Sequence, residues 1–281
     1  MNHYEESWKT SDGLSLYAQG WEPEGEPRGI VCLVHGLGEH SGRYVQVGEF
    51  LAKNGYALLG FDLRGFGKSE GLRGHVESYE RYMQDIDLLL QEARKRYTDI
   101  PVFLYGHSLG SMLVLDYIMR RKPHLAGAIV TGSVLRNALQ EQKGKINLAR
   151  MLGAFFPRFS LPTGLDASQI SKDEAVVRAY VNDPLVHNRM TLRTILSLLD
   201  AFPWTFTHAR SFPDVPLLMM HGSEDLIAYP SGTQEFADLV PGEVTVKYWD
   251  GMRHEIHNEP GKEQVLAYMV SWLDSKTRVV T

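Results

Sequence analysis

The chain has 281 residues, 43% of them apolar, and a formal net charge of −5. That length suits one large α/β domain with room for an insertion. The mild acidity argues against a basic nucleic-acid platform, and a single cysteine, Cys32, excludes an internal disulfide.

From the N-terminus, Met1 to Trp8 offers no basic stretch followed by an apolar run, so no signal peptide is expected. No apolar run approaches the ~18–20 residues that span a bilayer. A cytoplasmic setting follows as the expectation, and no metal or other cofactor is expected. Residues 13–21 alternate loosely and read as an early strand. Residues 30–35 are almost continuously apolar, as in a strand buried on both faces, and Cys32 within them reads as a small buried hydrophobe. Tyr44, Val47, Leu51 and Ala52 fall at helical spacing over 44–54, and Gly55 supplies a stop. Residues 56–62 give another buried strand. A helix over 78–96 carries Tyr79, Tyr82, Met83, Ile86, Leu89, Leu90 and Ala93 on one stripe.

A strand over 102–105, a helix over 109–121 and a strand over 126–131 come next. Between 134 and 207 no strong strand is expected. That segment holds Leu135, Leu139, Ile146, Leu148, Met151, Leu152, Phe155, Phe156 and Phe159, broken by Pro157 and Pro162, then helical stretches near 173–182 and 189–201. Strands over 216–221 and 243–249 and a helix over 261–276 complete the chain. The alternation predicts an α/β fold: a mostly parallel sheet with helices on both faces and an inserted helical cap. The expected division is a core of 1–133 and 208–281 with a cap of 134–207. Such sheets carry their chemistry at the carboxyl ends of the strands.

The sharpest motif is Gly106-His107-Ser108-Leu109-Gly110, where an apolar strand runs into G-x-S-x-G and a helix-compatible stretch follows. A tight strand-to-helix turn needs small residues two before and two after the serine, because Cβ atoms there would collide. A serine hydroxyl is a poor nucleophile until a histidine accepts its proton, and a carboxylate must orient that histidine. In the α/β-hydrolase fold the chain order is serine, acid, histidine. Asp225, just after the strand 216–221, is the candidate acid; Glu224 is its local rival, with Asp214 and Asp250 behind. His254, nearest the end of strand 243–249, is the candidate base, with His257 as rival. An oxyanion hole needs two free amides, and the candidates are the backbone N–H groups of Leu37, flanked by Gly36 and Gly38, and of Leu109 at the helix start.

With these residues placed, the chain resembles the monoacylglycerol lipase family of α/β-hydrolases. Five stretches carry the likeness: His35-Gly36-Leu37-Gly38-Glu39-His40-Ser41-Gly42-Arg43-Tyr44, Asp62 to Ser69, Gly106 to Gly110, His221 to Asp225, and His254 to His257. The resemblance covers about residues 8–133 and 208–275. It implies the triad Ser108, Asp225 and His254, and it implies that Glu39, Arg43 and His257 lie near the alcohol end of the substrate. A structural ion pair bracing the loop is the other reading of Glu39 and Arg43. The cap does not align residue by residue, so the resemblance leaves chain-length preference open.

Two patterns are decoys. Gly67-Lys68-Ser69 lacks the glycine a phosphate loop needs, since that place is Asp62, and His254-Glu255-Ile256-His257 brings its second histidine one residue too early for a zinc helix. His35, His107 and His221 read as hydrogen-bonded framework. The expected activity is serine ester hydrolysis through an acyl-enzyme, on monoacylglycerols and short-to-medium-chain acyl esters. The expected partner is a small-molecule lipid or ester, not nucleic acid, and the apolar cap could touch lipid surfaces. A lysophospholipase or general carboxylesterase, an acyltransferase, and a non-catalytic ligand-binding protein of the same fold are the alternatives.

Overall fold

The computed structural model describes residues 1–277, so the last four residues of the expected core segment 208–281 lie outside the described residues. In chain order the elements are β1 (Asn2–Lys9), β2 (Ser15–Glu22), β3 (Ile30–Val34), α1 (Val45–Lys53), β4 (Ala57–Phe61), α2 (Tyr79–Arg96), β5 (Val102–His107), α3 (Leu109–Arg121) and β6 (Gly127–Thr131). Then come α4 (Lys143–Phe155), β7 (Ser160–Pro162), α5 (Glu174–Asn182), β8 (Arg189–Thr191), α6 (Leu192–His208), β9 (Leu217–Gly222), α7 (Pro230–Ala237), β10 (Val244–Trp249) and α8 (Lys262–Thr277).

Eight strands form one sheet in the order β1-β2-β4-β3-β5-β6-β9-β10. Pairing is parallel from β4 through β10 and antiparallel at β1–β2 and β2–β4. Strand alternation divides the core in two. In β3, Ile30, Cys32 and Val34 face the layer of α2, α3 and α6, while Val31 and Leu33 face α1 and α8. The same division runs through β5 and β9, where Leu104, Leu217 and Met219 lie on one side and Phe103, Tyr105, Leu218 and Met220 on the other. Strands apolar on both faces are what a helix-covered parallel sheet requires.

Five elements depart from the sequence reading. The strand β1 was not expected, because its only buried residue is Trp8 and an edge strand shows no strong apolar alternation. The antiparallel pair β7 and β8 occupies a region where no strand was expected; each strand has three residues and they pair only with each other. The expected helix over 189–201 begins at Leu192 and continues to His208 through Pro203, a residue that argues for a stop in a sequence. The helix α7, opened by Pro230, also went unread. Among the described residues no helix is long and apolar enough to cross a membrane.

The parallel strands bring the ends of β3, β5, β9 and β10 to one edge of the sheet. Asp62, after β4, fastens the loops there: Oδ1 accepts from Ser41 N at 2.8 Å and Ser41 Oγ at 2.6 Å, and Oδ2 accepts from Lys68 N at 2.8 Å. Asp62→Ala would strip these donors of their acceptor in a buried setting and should destabilise the fold by roughly 3 kcal/mol, while Lys68→Ala should stay within about 0.5 kcal/mol. Urea unfolding of the two variants checks the contrast.

Candidate active site

Ser108 sits between β5 and α3 with φ 52° and ψ −116°, a conformation costly for any residue with a Cβ. The turn can be this tight only because its neighbours are glycines. A Cβ on Gly106 would lie 2.3 Å from Gly110 O, and one on Gly110 would lie 2.0 Å from Val34 O. Ser108 N donates to Thr131 O at 3.0 Å, which ties the turn to β6. Ser108 itself is 8% exposed. Among the described residues its hydroxyl oxygen and the Nε2 of His254 have no hydrogen-bond partner.

Asp225 and His254, far apart in sequence, are brought together. His254 Nδ1 lies 2.7 Å from Asp225 Oδ2, and since a carboxylate only accepts, the imidazole donates there. Oδ1 of Asp225 accepts from Ile227 N and Ala228 N, both at 2.9 Å. Burial alone would raise the pKa of Asp225, but the charge of His254 and hydrogen bonds from His221 and His254 hold it well below the ordinary carboxylate range. Burial would lower the pKa of His254; the charge and hydrogen bond of Asp225, with Glu255 and Glu39 behind, lift it above the ordinary imidazole value. Neither rival takes part in this pair. Glu224 pairs with Lys172 in solvent at 2.7 Å, and His257 is fully buried.

The loops that carry Asp225 and His254 pack backbone against backbone. A Cβ on Gly222 would lie 2.1 Å from Arg253 O, and one on Gly132 would lie 3.0 Å from His254 O and 3.1 Å from the Cε1 atoms of both His107 and His254. Glu224 N donates to Met252 O at 2.9 Å, and Ser223 N donates to Trp249 O at 2.9 Å.

The loop 35–40 lies beside Ser108, close enough that a Cβ on Gly36 would be 3.1 Å from Ser108 Cβ. His35 accepts from Leu63 N at Nε2, 2.8 Å, so its Nδ1 carries the hydrogen and donates to Gly36 O at 2.7 Å. That bond fixes the plane of the Gly36–Leu37 peptide and with it the direction of the Leu37 N–H. Among the described residues neither Leu37 N nor Leu109 N has a hydrogen-bond partner.

Glu39 and Arg43 form a closed internal network. Glu39 accepts from Gly36 N (2.6 Å), Tyr44 Oη (2.8 Å) and Arg43 Nη1 (2.8 Å). Arg43 reaches both oxygens of Glu255, at 2.6 and 2.7 Å, and the Tyr180 ring lies 4.7 Å from its guanidinium carbon. His257 stacks on Tyr44 with ring centroids 4.8 Å apart and its pKa is pushed down to about 4 by burial. Glu255 was missed in the sequence, although a buried arginine demands acidic partners and Glu255 adjoins His254. Tyr180, Asp183 and His187 were also missed, because they sit in a segment without a motif. His40 Nε2 lies 2.8 Å from Asp183 Oδ2, and His187 N donates to Gly38 O at 3.1 Å. Among the described residues no group of three or more His, Cys, Asp or Glu side chains could hold a metal ion.

Known proteins share this fold. The family model described as serine aminopeptidase, S33 (Hydrolase_4) matches residues 25–261. The crystal structure of a Paleococcus ferrophilus monoacylglycerol lipase superposes with TM-score 0.82 at 33% identity, covering 98% of this chain and 100% of that one. A monoacylglycerol lipase of Mycolicibacterium smegmatis is 30% identical over 96% of this chain and 97% of its own. An abhydrolase domain-containing protein of Dictyostelium discoideum is 39% identical over 95% of this chain, which spans only 28% of that protein's length. Fold and matches together define a serine ester hydrolase of the lipase and esterase class on the α/β-hydrolase fold. The chain belongs to the monoacylglycerol lipase family.

The glycine contacts carry a test. Gly110→Ala must displace either α3 or Val34, at about 1–3 kcal/mol or more. Gly222→Ala must push the 252–254 backbone away. Both should lower ester hydrolysis by an order of magnitude or more, read against p-nitrophenyl butyrate, with thermal unfolding reporting the stability loss separately.

Proposed function

We propose that the protein hydrolyses monoacylglycerols and short-to-medium-chain acyl esters, with Ser108 as nucleophile, His254 as base and Asp225 as the group that orients it. The observation that carries this reading is the 2.7 Å Asp225–His254 bond at the sheet edge that also presents the strained Ser108 turn. Ser108 Oγ attacks the ester carbonyl while His254 Nε2 takes its proton, and the amides of Leu37 and Leu109 receive the oxyanion, each worth roughly 3 kcal/mol. His254 then protonates the leaving alcohol. Water repeats the sequence in reverse on the acyl-enzyme, releasing the carboxylic acid.

In this proposal residues 134–207 act as a cap over the acyl chain, where each buried methylene adds ~0.8 kcal/mol and so ranks substrates by length. Glu39 and Arg43 brace the loop that bears Leu37, and His257 packs behind them. The sequence-based role of these three beside a glycerol requires that loop to open. Ester substrates are favoured over aminoacyl ones for a specific reason. A peptide amine needs a free carboxylate, and Glu39 and Glu255 are both already bound to Arg43. The cap's apolar residues, among them Met151, Phe155, Phe156 and Phe159 at 57–77% exposure, would meet lipid. The enzyme is read as cytoplasmic, which cell fractionation tests.

Ser108→Ala should abolish hydrolysis of both p-nitrophenyl esters and 1-monoacylglycerols; retained turnover removes Ser108 from the mechanism. Matched acyl chains on glycerol, glycerophosphocholine and p-nitrophenol, with added alcohol as competing acceptor, separate monoacylglycerol hydrolysis from lysophospholipase, carboxylesterase and acyltransferase activity.

The base must be unprotonated, and its pKa is held above the ordinary imidazole value of ~6.5. Activity should therefore be complete at alkaline pH and fall away as pH drops through a midpoint above ~6.5 in a kcat/KM profile. Phe155→Ser with Phe156→Ser should weaken sedimentation with phosphatidylcholine vesicles and leave hydrolysis of a water-soluble ester within about twofold.

A further inference from the structure

Asp225 Oδ2 receives two imidazoles rather than one. Beside His254 Nδ1 at 2.7 Å it has His221 Nε2 at 2.9 Å. His221 belongs to β9 and is fully buried. Its Nε2 also lies 3.0 Å from Ala228 O, and its Nδ1 lies 2.7 Å from Thr233 Oγ1 on α7. A carboxylate and a carbonyl can only accept, so Nε2 must carry the hydrogen. Nδ1 is then left to accept from the Thr233 hydroxyl. Thr233, His221 and Asp225 thus form a hydrogen-bonded chain with a fixed direction of donation.

We infer that His221, held in one tautomer by the acceptors Asp225 Oδ2 and Ala228 O, is a positioning residue for the acid–base pair: by sharing Asp225 Oδ2 with His254 it sets both the orientation of the carboxylate and the strength of the bond that His254 receives. The inference rests on the serine hydrolase reading above. Its geometric part is direct. With Ile227 N and Ala228 N on Oδ1 and two imidazoles on Oδ2, the carboxylate has four donors and no freedom to turn.

Its electrostatic part has a sign. A hydrogen bond from His221 draws off part of the negative charge that Oδ2 offers to His254. Removing it leaves that charge to His254 alone, which stabilises the imidazolium and moves the activity midpoint upward. The other groups that bear on His254 are Glu255, Glu39 and Arg43, and the rings of His107 and His257. None of them contacts Thr233 through a hydrogen bond among the described residues, so the substitutions below leave them in place.

The test is the pH dependence of kcat/KM on a p-nitrophenyl ester for the full chain and three variants. His221→Leu should raise the midpoint by about half a unit and lower the plateau about tenfold. His221→Gln, whose side-chain amide can donate from near the same place, should return the midpoint toward that of the parent. Thr233→Val, which leaves Nδ1 without its hydroxyl partner and so loosens the ring that bonds Asp225, should fall between. An unshifted midpoint in His221→Leu, whatever its rate, overturns the inference and makes His221 a packing residue only.

Should His221→Leu fail to fold, Thr233→Val carries the kinetic test by the same criterion. Nitrogen-15 spectra of histidine-labelled parent protein give a readout independent of activity. They should show His221 protonated at Nε2 and not at Nδ1, and the opposite tautomer overturns the inference. Failure of Ser108→Ala to abolish turnover would instead remove the serine mechanism, and the tautomer result would stand or fall separately.

Discussion

The approach of α3 to the end of β3 is the contact on which the site depends. At Gly110 there is no space for even one carbon beside Val34 O, and at Gly106 none beside Gly110 O. Strand and helix meet at backbone distance, and the residue between them must take whatever torsions close the gap. That residue is Ser108, at φ 52° and ψ −116°. Such a conformation costs about 1–3 kcal/mol and persists only where its surroundings over-determine it. They do so here, because β5 is buried on both faces, by α2, α3 and α6 on one side and α1 and α8 on the other.

The same device recurs where Asp225 and His254 meet. Gly222 and Gly132 let the 252–254 backbone press against the ends of β9 and β6 with no side chain between. The distance from Asp225 to His254 is therefore set by main-chain packing, and the hydrogen bond between them forms without either side chain reaching. A carboxylate with four donors stays ionised, and an imidazole facing it is lifted in pKa though burial opposes it. The two shifts are one interaction seen from both partners.

What could be read in the sequence follows from how local the governing contact is. The β-strands buried on both faces, the helix stripes of α2 and α8, and the G-x-S-x-G turn announce themselves over a few residues. So did Asp225 and His254 as candidates, because each lies just past a buried strand. The edge strand β1 carried no such pattern because its side chains stay largely in solvent, and β7 and β8, at three residues each, are too short to show one. Glu255 was hidden for another reason: its partner Arg43 is 212 positions away, and only the fold reveals the pair. His221 read as framework because the motif gives its place but not the direction of its hydrogens.

The loop from Gly36 to Arg43 shows why no part of the site belongs to the core alone. From below, His35 fixes the Gly36 carbonyl, and Glu39 holds the Gly36 amide. From the side, Glu255 grips Arg43 beside the base. From the segment between β6 and β9, the Tyr180 ring covers Arg43, Asp183 binds His40, and His187 N donates to Gly38 O. Gly38 has φ +80°, and a Cβ there would lie 2.8 Å from His187 O, so this last contact again demands glycine. The amide of Leu37 lies between Gly36 and Gly38, and its direction is set jointly by the strand behind it, the histidine loop beside it and the helical segment above it. A displacement of residues 180–188 cannot leave that amide where it is unless the Gly38 contact and the His40–Asp183 pair are first given up.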